Sequence, residues 1–264
     1  MSNIIKIRKI AQSLFDAHAA KSKFQNLSSE LKPQSIAEAY EIQKALNSLW
    51  KESGRGPISG YKIALTSKAI QDLVGVDKPV GAAIFASTVH QSPATIFVDN
   101  FVRLGLEFEL AFTISKDVPE KVVYDANSIS DFVDSAMPAF ELIEDRAADY
   151  SNLDPMSLIA DNAWCGGIVI GVASKKWRQL DLATNPVNLV YNDSKIQNAT
   201  TGEAMGNPLN SLAWLATLLG DQERPLKAGD MVMSGSTLAT KFVKRGDYAN
   251  YTIQGMGSVE VTIQ

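Results

Sequence analysis

Residues 104 to 112 read Leu104-Gly-Leu-Glu-Phe-Glu-Leu-Ala-Phe112. Apolar and acidic residues alternate among strand-forming neighbours, and the pattern predicts a β-strand. Side chains two apart on a strand share a face, so Glu107 and Glu109 point one way and Leu106, Phe108 and Leu110 point into packing. Two carboxylates side by side repel each other, and a cation between them relieves the repulsion. A second stretch, Pro138-Ala-Phe-Glu-Leu-Ile-Glu-Asp-Arg146, sets a further acid, Glu141, among strand formers. Three convergent carboxylates suit a hard cation with oxygen ligands, Mg²⁺ or Mn²⁺. The same spacing also suits a solvated strand face, and spacing alone leaves both readings standing.

The rest of the composition narrows the class. The chain has 264 residues, is 45% hydrophobic and carries a formal net charge of −4. That is globular composition, of a length for one large domain or a core with a small appendage. The mildly acidic balance, without a basic patch, argues against nucleic acid as a partner. One cysteine, Cys165, excludes an internal disulfide and fits a reducing compartment. Lys6, Arg8 and Lys9 interrupt the N-terminal apolar residues, which argues against a signal peptide. No apolar run approaches the roughly 20 residues of a membrane span. No membrane partner is expected, and the expected location is cytoplasmic. The only histidines are His18 and His90, so a histidine-rich metal site is impossible. His18 falls in a helical pattern and is expected at the surface.

Working outward to the N-terminus, Ile4, Ile7, Ile10, Leu14 and Phe15 recur at helical spacing. Ser35 with Glu38 forms a capping box before a second helix, whose apolar stripe is Ile36, Tyr40, Leu46, Leu49 and Trp50. Gly54 and Gly56-Pro57 stop that helix. Residues 1–57 are therefore expected as a helical subdomain and 58–264 as a β-rich catalytic domain. Strands are predicted near 58–63, 83–85, 95–98, 104–114, 139–143, 166–172, 187–191, 195–196, 231–234, 248–253 and 259–263. Thr66 or Ser67 would cap a short helix through Leu73. Further helices are expected at 128–135 and 210–219. Strict β-α alternation is absent, which points to an α+β architecture.

Other residues carry possible chemistry. Lys62 ends a predicted strand. A lysine with a buried stem moves protons near neutral pH, whereas a surface lysine merely snorkels from the strand. Asp161-Asn162 precedes Ala163-Trp-Cys-Gly-Gly167, either a plain turn or one whose backbone approaches a ligand. Ser234-Gly-Ser236 offers hydroxyls and backbone amides suited to a carboxylate, or again a plain turn. Cys165 is expected as a small packed residue. No nucleotide-binding glycine motif is present.

Several of these pieces occur together in a known order. Gly60-Tyr-Lys-Ile-Ala-Leu-Thr-Ser-Lys68, Glu107-Phe-Glu109, residues 138–146, Ala160-Asp-Asn-Ala163, Gly206-Asn-Pro-Leu-Asn210 and Ser234-Gly-Ser236 resemble the 2-keto-4-pentenoate hydratases. These belong to the fumarylacetoacetate hydrolase superfamily, and the resemblance spans nearly the whole chain. It implies a mixed β-roll with an N-terminal helical part. It implies Glu107, Glu109 and Glu141 as ligands of Mg²⁺ or Mn²⁺, and Lys62 as the proton-transferring lysine. Ser236 and its turn would lie against the substrate carboxylate, with Asn162 also at the substrate and Ile63 and Leu65 shaping the tail pocket. The implied activity is addition of water to a 2-hydroxy-2,4-dienoate in the breakdown of aromatic-derived compounds. The implied assembly is a homo-oligomer, a dimer or larger, with a paired decarboxylase as a possible partner. The chain departs from the family where Val80 replaces an aspartate, Ala64 a glycine and Gly105 a basic residue. Loss of that aspartate is shared with 2-oxo-4-hexenedioate decarboxylases, so decarboxylation is the alternative activity, and a non-catalytic partner subunit a further one. Gly206-Asn-Pro208 follows the hydratase form.

Overall fold

The computed structural model describes residues 3–66, 71–72 and 75–264. The short helix expected after Thr66 or Ser67 falls largely on residues outside that set. Helix α1 (Asn3–Ala19) packs Ile10, Ala11 and Leu14 inward. Helix α2 (Ile36–Trp50) buries Ala39, Tyr40, Ile42, Leu46 and Trp50. Its cap is half the expected box: Ser35 Oγ accepts from the Glu38 amide, but the Glu38 carboxylate reaches the Gln34 amide and Lys6 instead of returning to Ser35. Lys6 supplies a charge-assisted partner and draws the carboxylate outward.

The remainder is built on two sheets. The strands are β1 (Ile58–Ala64), β2 (Val80–Phe85), β3 (Val89–Gln91), β4 (Ala94–Ile96), β5 (Leu104–Ile114), β6 (Val133–Glu144), β7 (Cys165–Ile170), β8 (Pro186–Tyr191), β9 (Ser194–Thr200), β10 (Met231–Ser236), β11 (Lys241–Phe242), β12 (Tyr248–Ile253) and β13 (Gly257–Ile263). One sheet runs β2-β1-β10-β5-β6-β7-β3, with β11 on β5, and the other runs β4-β13-β12-β8-β9. Short helices α3 (Ala126–Ser130) and α4 (Pro155–Ala160) and a longer α5 (Pro208–Asp221) complete the order. The α+β architecture expected from the pattern is what the chain adopts. The helix expected at 128–135 begins earlier, at Ala126, where an Asp125–Ser128 capping box opens it, and ends at Ser130, and Val133 already belongs to β6. Val133 is β-branched and pairs with Ile114, a better use of its stiff side chain than a helix.

The alternation in β5 decides how the sheets stack. Phe108 pairs with Phe140 and both rings approach Tyr251 of β12, at centroid distances of 5.9 and 6.4 Å. All three side chains are fully buried, and they form the seam between the sheets. The odd-numbered acids Glu107, Glu109 and Glu141 are thereby turned to the opposite face. The core is continuous with the N-terminal helices: Trp50 meets Phe85 edge to face at 5.8 Å. Among the described residues, no helix is long and apolar enough to cross a membrane.

Candidate metal centre

Four neighbouring strands, β1-β10-β5-β6, each bring a residue to one place. Glu107 of β5 stands directly across from Glu141 of β6. Glu109 pairs in register with Ser236 of β10, and Lys62 of β1 lies beside Met233 of the same strand. One carboxylate oxygen from each of Glu107, Glu109 and Glu141 lies within 4.8 Å of the others. Glu109 and Glu141 are fully buried, and Glu107 is half-buried. Lys62 is 1% exposed, with its Nζ 2.9 Å from Glu141 Oε1. The snorkelling alternative for Lys62 is thus excluded.

Charge is out of balance in this space, with three carboxylates facing one ammonium. Each like-charged pair at about 4 Å costs roughly 4 kcal/mol at the effective dielectric of a partly hydrated site. Burial, then Glu141 and Glu107, push the Glu109 carboxyl well above the ordinary range. Burial raises Glu141 to about 7 against the opposing pull of Lys62. Burial alone would depress Lys62, but Glu141, Cys165 and Glu107 together hold it above its ordinary value. Oε1 of Glu109 and Oε2 of Glu141 are buried without a hydrogen bond among the described residues, and Glu141 Oε1 has only the Lys62 ammonium at 2.9 Å. Orphaned buried carboxylate oxygens are costly, and a divalent cation is the ligand that satisfies them with matching charge. The residues present therefore fit such an ion.

The rest of the shell holds the acids in place. Strand β10 carries one extra residue between Met233 and Ser236 relative to β5. This bulge puts Gly235 at φ +101°, a left-handed conformation, and its N–H donates to Glu109 Oε2 at 2.7 Å. Thr240 Oγ1 donates to Glu107 Oε1 at 2.7 Å. The turn expected to receive a substrate carboxylate thus spends a backbone amide on the protein's own glutamate. Ser234 Oγ donates to the Leu110 carbonyl and Ser236 Oγ to that of Leu238, while Ser236 Oγ also accepts from the Phe108 amide. Ser236 does line the cavity described next.

A cavity of about 390 Å³ opens over Lys62 and Glu107. Ile63, Leu65, Ile143, Leu153, Leu158 and Trp164 form its apolar wall, and Tyr150 and Thr240 its polar rim. Leu65 sits at φ +58°, an uncommon conformation for a branched side chain that turns the chain at the end of β1. Residues 162 to 164 are all left-handed, which folds Ala163 and Trp164 onto the wall. Asn162 itself is fully buried away from the cavity lining. Its Nδ2 donates to the Ala83 carbonyl and its Oδ1 accepts from the Ala83 amide, both at 2.9 Å. Asn162, expected at the substrate, here clamps β2, the strand beside Lys62. Its amide thus mimics a strand partner, with one N–H and the carbonyl oxygen both engaged by Ala83.

His18, expected at the surface, is 12% exposed and its Nε2 lies 2.7 Å from Asp161 Oδ1. Arg146 takes the other oxygen of Asp161 at 2.6 Å. Cys165 is buried, its thiol pushed up to about 12 by burial, which suits the packed role expected of it. Sequence reasoning missed Thr240 and Tyr150, and read Trp164 only as part of a turn whose backbone could approach a ligand. Neither Thr240 nor Tyr150 falls in a pattern that distinguishes it from an ordinary loop residue.

Comparison with known proteins bears on this geometry. The family described as "Fumarylacetoacetate (FAA) hydrolase C-terminal" matches residues 61–264. The chain is similar to a 2-keto-4-pentenoate hydratase of Burkholderia vietnamiensis, 30% identical over 99% of each chain. It is also similar to a 2-oxo-hept-4-ene-1,7-dioate hydratase of Escherichia coli, 30% identical over 95% of each. In fold it resembles a 4-oxalocrotonate decarboxylase from Pseudomonas putida G7 complexed with magnesium and adipate. The TM-score is 0.92 at 22% identity, covering 100% of this chain and 99% of that one. A fumarylpyruvate hydrolase from Pseudomonas aeruginosa in complex with Mn²⁺ and pyruvate shares the fold at a TM-score of 0.57 and 14% identity, covering 77% of this chain and 88% of that one.

Proposed function

The chain belongs to the fumarylacetoacetate hydrolase family, and from that premise we propose that it is a metal-dependent hydratase of 2-hydroxy-2,4-dienoates. The product is a 4-hydroxy-2-oxoacid. The relatives at 30% identity are named hydratases of this type. The observation that carries the reading is the buried Lys62–Glu141 pair at the wall of an otherwise largely apolar cavity.

Glu107, Glu109 and Glu141 would hold one divalent ion, Mg²⁺ or Mn²⁺. When bound, the ion supplies a Lewis acid for the negative charge that develops on the substrate's 2-oxygen as the dienol becomes a ketone. Lys62 moves the proton released from the 2-hydroxyl to C5. The resulting 2-oxo-3-enoate is an acceptor: water adds at C4 and a proton goes to C3, so the sum is substrate plus one water. Ile63, Leu65 and Trp164 bracket the tail and keep bulk water out. Ser236 faces the substrate carboxylate by turning its hydroxyl from the Leu238 carbonyl.

Decarboxylation is the second reading, and Val80 favours it. Val80 is 3% exposed on β2 and packs among apolar residues, so the acid that would assist Lys62 in adding water is missing there. One experiment separates the readings: the pure protein with Mg²⁺ is given 2-hydroxypenta-2,4-dienoate and its carboxylated homologue. Hydration of the former to 4-hydroxy-2-oxopentanoate supports the proposal. Carbon dioxide from the latter alone supports decarboxylation, and no turnover of either supports a non-catalytic subunit. The site is further proposed to work in the cytoplasm in breakdown of aromatic-derived compounds. It is proposed to work within a homo-oligomer, with a decarboxylase as possible partner; a monomeric mass by light scattering contradicts the assembly.

A further inference from the structure

A second cavity, of about 360 Å³, shares no lining residue with the first. Its walls come from α1, the turn after α2, β3, the segment before β5, and the ends of β6 and β7. Cationic and imidazole side chains gather there: His18, Lys21, Arg55, His90 and Arg146, against one lining carboxylate, Glu144. Glu144 is already engaged, accepting from the amides of Val102, Arg103 and Arg146 at 2.9 to 3.3 Å.

Asp161, outside the cavity lining, pairs with His18 and Arg146, but Arg55 and Lys21 have no carboxylate partner among the described residues. The Arg55 guanidinium stacks on Trp50 at 4.1 Å and, among the described residues, makes no ion pair or hydrogen bond. It is half-buried, and burial holds it below its ordinary pKa. Among the described residues, Lys21 Nζ reaches only the backbone carbonyl of Asp99, at 2.5 Å. Arg146 is 2% exposed; it bonds Asp161 and the Ser22 carbonyl, but its buried Nε has no partner among the described residues. Charged groups taken from water this far are normally paired. A guanidinium left unpaired in a cavity large enough for a small molecule is satisfied by an oxyanion, whose geometry its fork of donors matches.

We propose that this second cavity binds a small oxyanion, a ligand bearing a carboxylate or phosphate group, with Arg55 as its principal contact. Lys21 adds long-range attraction and His90 a ring donor at the wall. The exposed Phe97 and the half-buried Phe101 beside them accommodate an apolar portion of the ligand. This site is independent of the hydratase reading.

The test is a calorimetric and thermal-shift titration of the full chain, Mg²⁺-loaded, with sodium phosphate and with succinate, against sodium chloride at matched ionic strength. The expected result is saturable binding of at least one of them and a Tm rise of several degrees that chloride does not reproduce. Arg55→Met, which keeps the stem on Trp50, is expected to weaken that binding at least tenfold, and Lys21→Ala severalfold. Should Arg55→Met not fold, Lys21→Ala and Arg55→Lys carry the comparison. Glu109→Gln is expected to retain the binding. Equal affinity in the Arg55 and Lys21 variants, loss in Glu109→Gln, or no saturable binding of either anion overturns the proposal.

Discussion

Lys62 Nζ and Glu141 Oε1 meet at 2.9 Å with neither side chain accessible to water. The pair joins β1 to β6 across two intervening strands, β10 and β5. It therefore has a structural and a chemical side, and a substitution reports on both.

Lys62→Met keeps most of the stem's packing and removes the amine. A proton-transfer group contributes about 10²–10⁴-fold in rate, or roughly 3–5 kcal/mol of barrier, so kcat is expected to fall by that factor. Without metal, the variant leaves Glu141 buried without its cation, which costs about 3–5 kcal/mol unless the carboxyl takes up a proton. The expected pattern is a lowered Tm in chelator that Mg²⁺ largely restores, with kcat not restored. Assay by absorbance decay and melting by fluorescence check both; wild-type turnover assigns the proton transfer elsewhere.

Gly235→Ala tests how the bulge serves the acids. The alanine would hold φ near +101° and bring its methyl to 2.6 Å from Thr66 Cγ2. Strain of this kind costs about 1–3 kcal/mol. The amide that holds Glu109 shifts with it, so Mg²⁺ affinity is expected to fall alongside stability. Denaturant midpoints and calorimetry on the folded variant measure the two effects. Unchanged values for both would mean that the glycine is incidental.

The buried Asp161 carboxylate gives a pH signature. Burial pushes its pKa up, but His18 and Arg146 outweigh burial and hold it below the ordinary value. A depressed carboxyl contributes stability that is present above the unfolded pKa, about 3.9, and lost as pH falls through the lower folded value. Stability attributable to this group is therefore expected to be complete above pH 5 and to decline below 4. Comparing urea midpoints of wild type and Asp161→Asn between pH 6 and 3 checks this, the gap between them narrowing on acidification.

These contacts mark where sequence reading stops. The period-2 pattern of residues 104–112 reports the two faces of a strand, so the inward packing of Phe108 and the shared face of Glu107 and Glu109 were legible from it, whereas the meeting of Phe108 with Tyr251 of the other sheet was not. The capping Ser35 and the strand-end Lys62 were legible because their signals are local. His18 finds Asp161 143 positions away, and Asn162 finds Ala83 79 away. No local propensity encodes such a meeting. The Gly235 bulge was legible as a turn, but which acceptor its amide faces depends on the β10–β5 register. The three glutamates were legible as candidates by spacing, and the family resemblance joined the third to the first two. What brings them within reach of one ion is the Glu107–Glu141 register, a property of the folded sheet.

The central claim is that Glu107, Glu109 and Glu141 bind one divalent cation, and calorimetric titration of Mg²⁺ into Glu109→Gln tests it most directly. Glutamine preserves the side chain's shape and removes one of its two carboxylate oxygens and its charge. The account predicts one ion per chain for the wild type and affinity lowered at least tenfold, about 1.4 kcal/mol or more, in the variant. Mg²⁺ binding with unchanged affinity and stoichiometry in folded Glu109→Gln would contradict it.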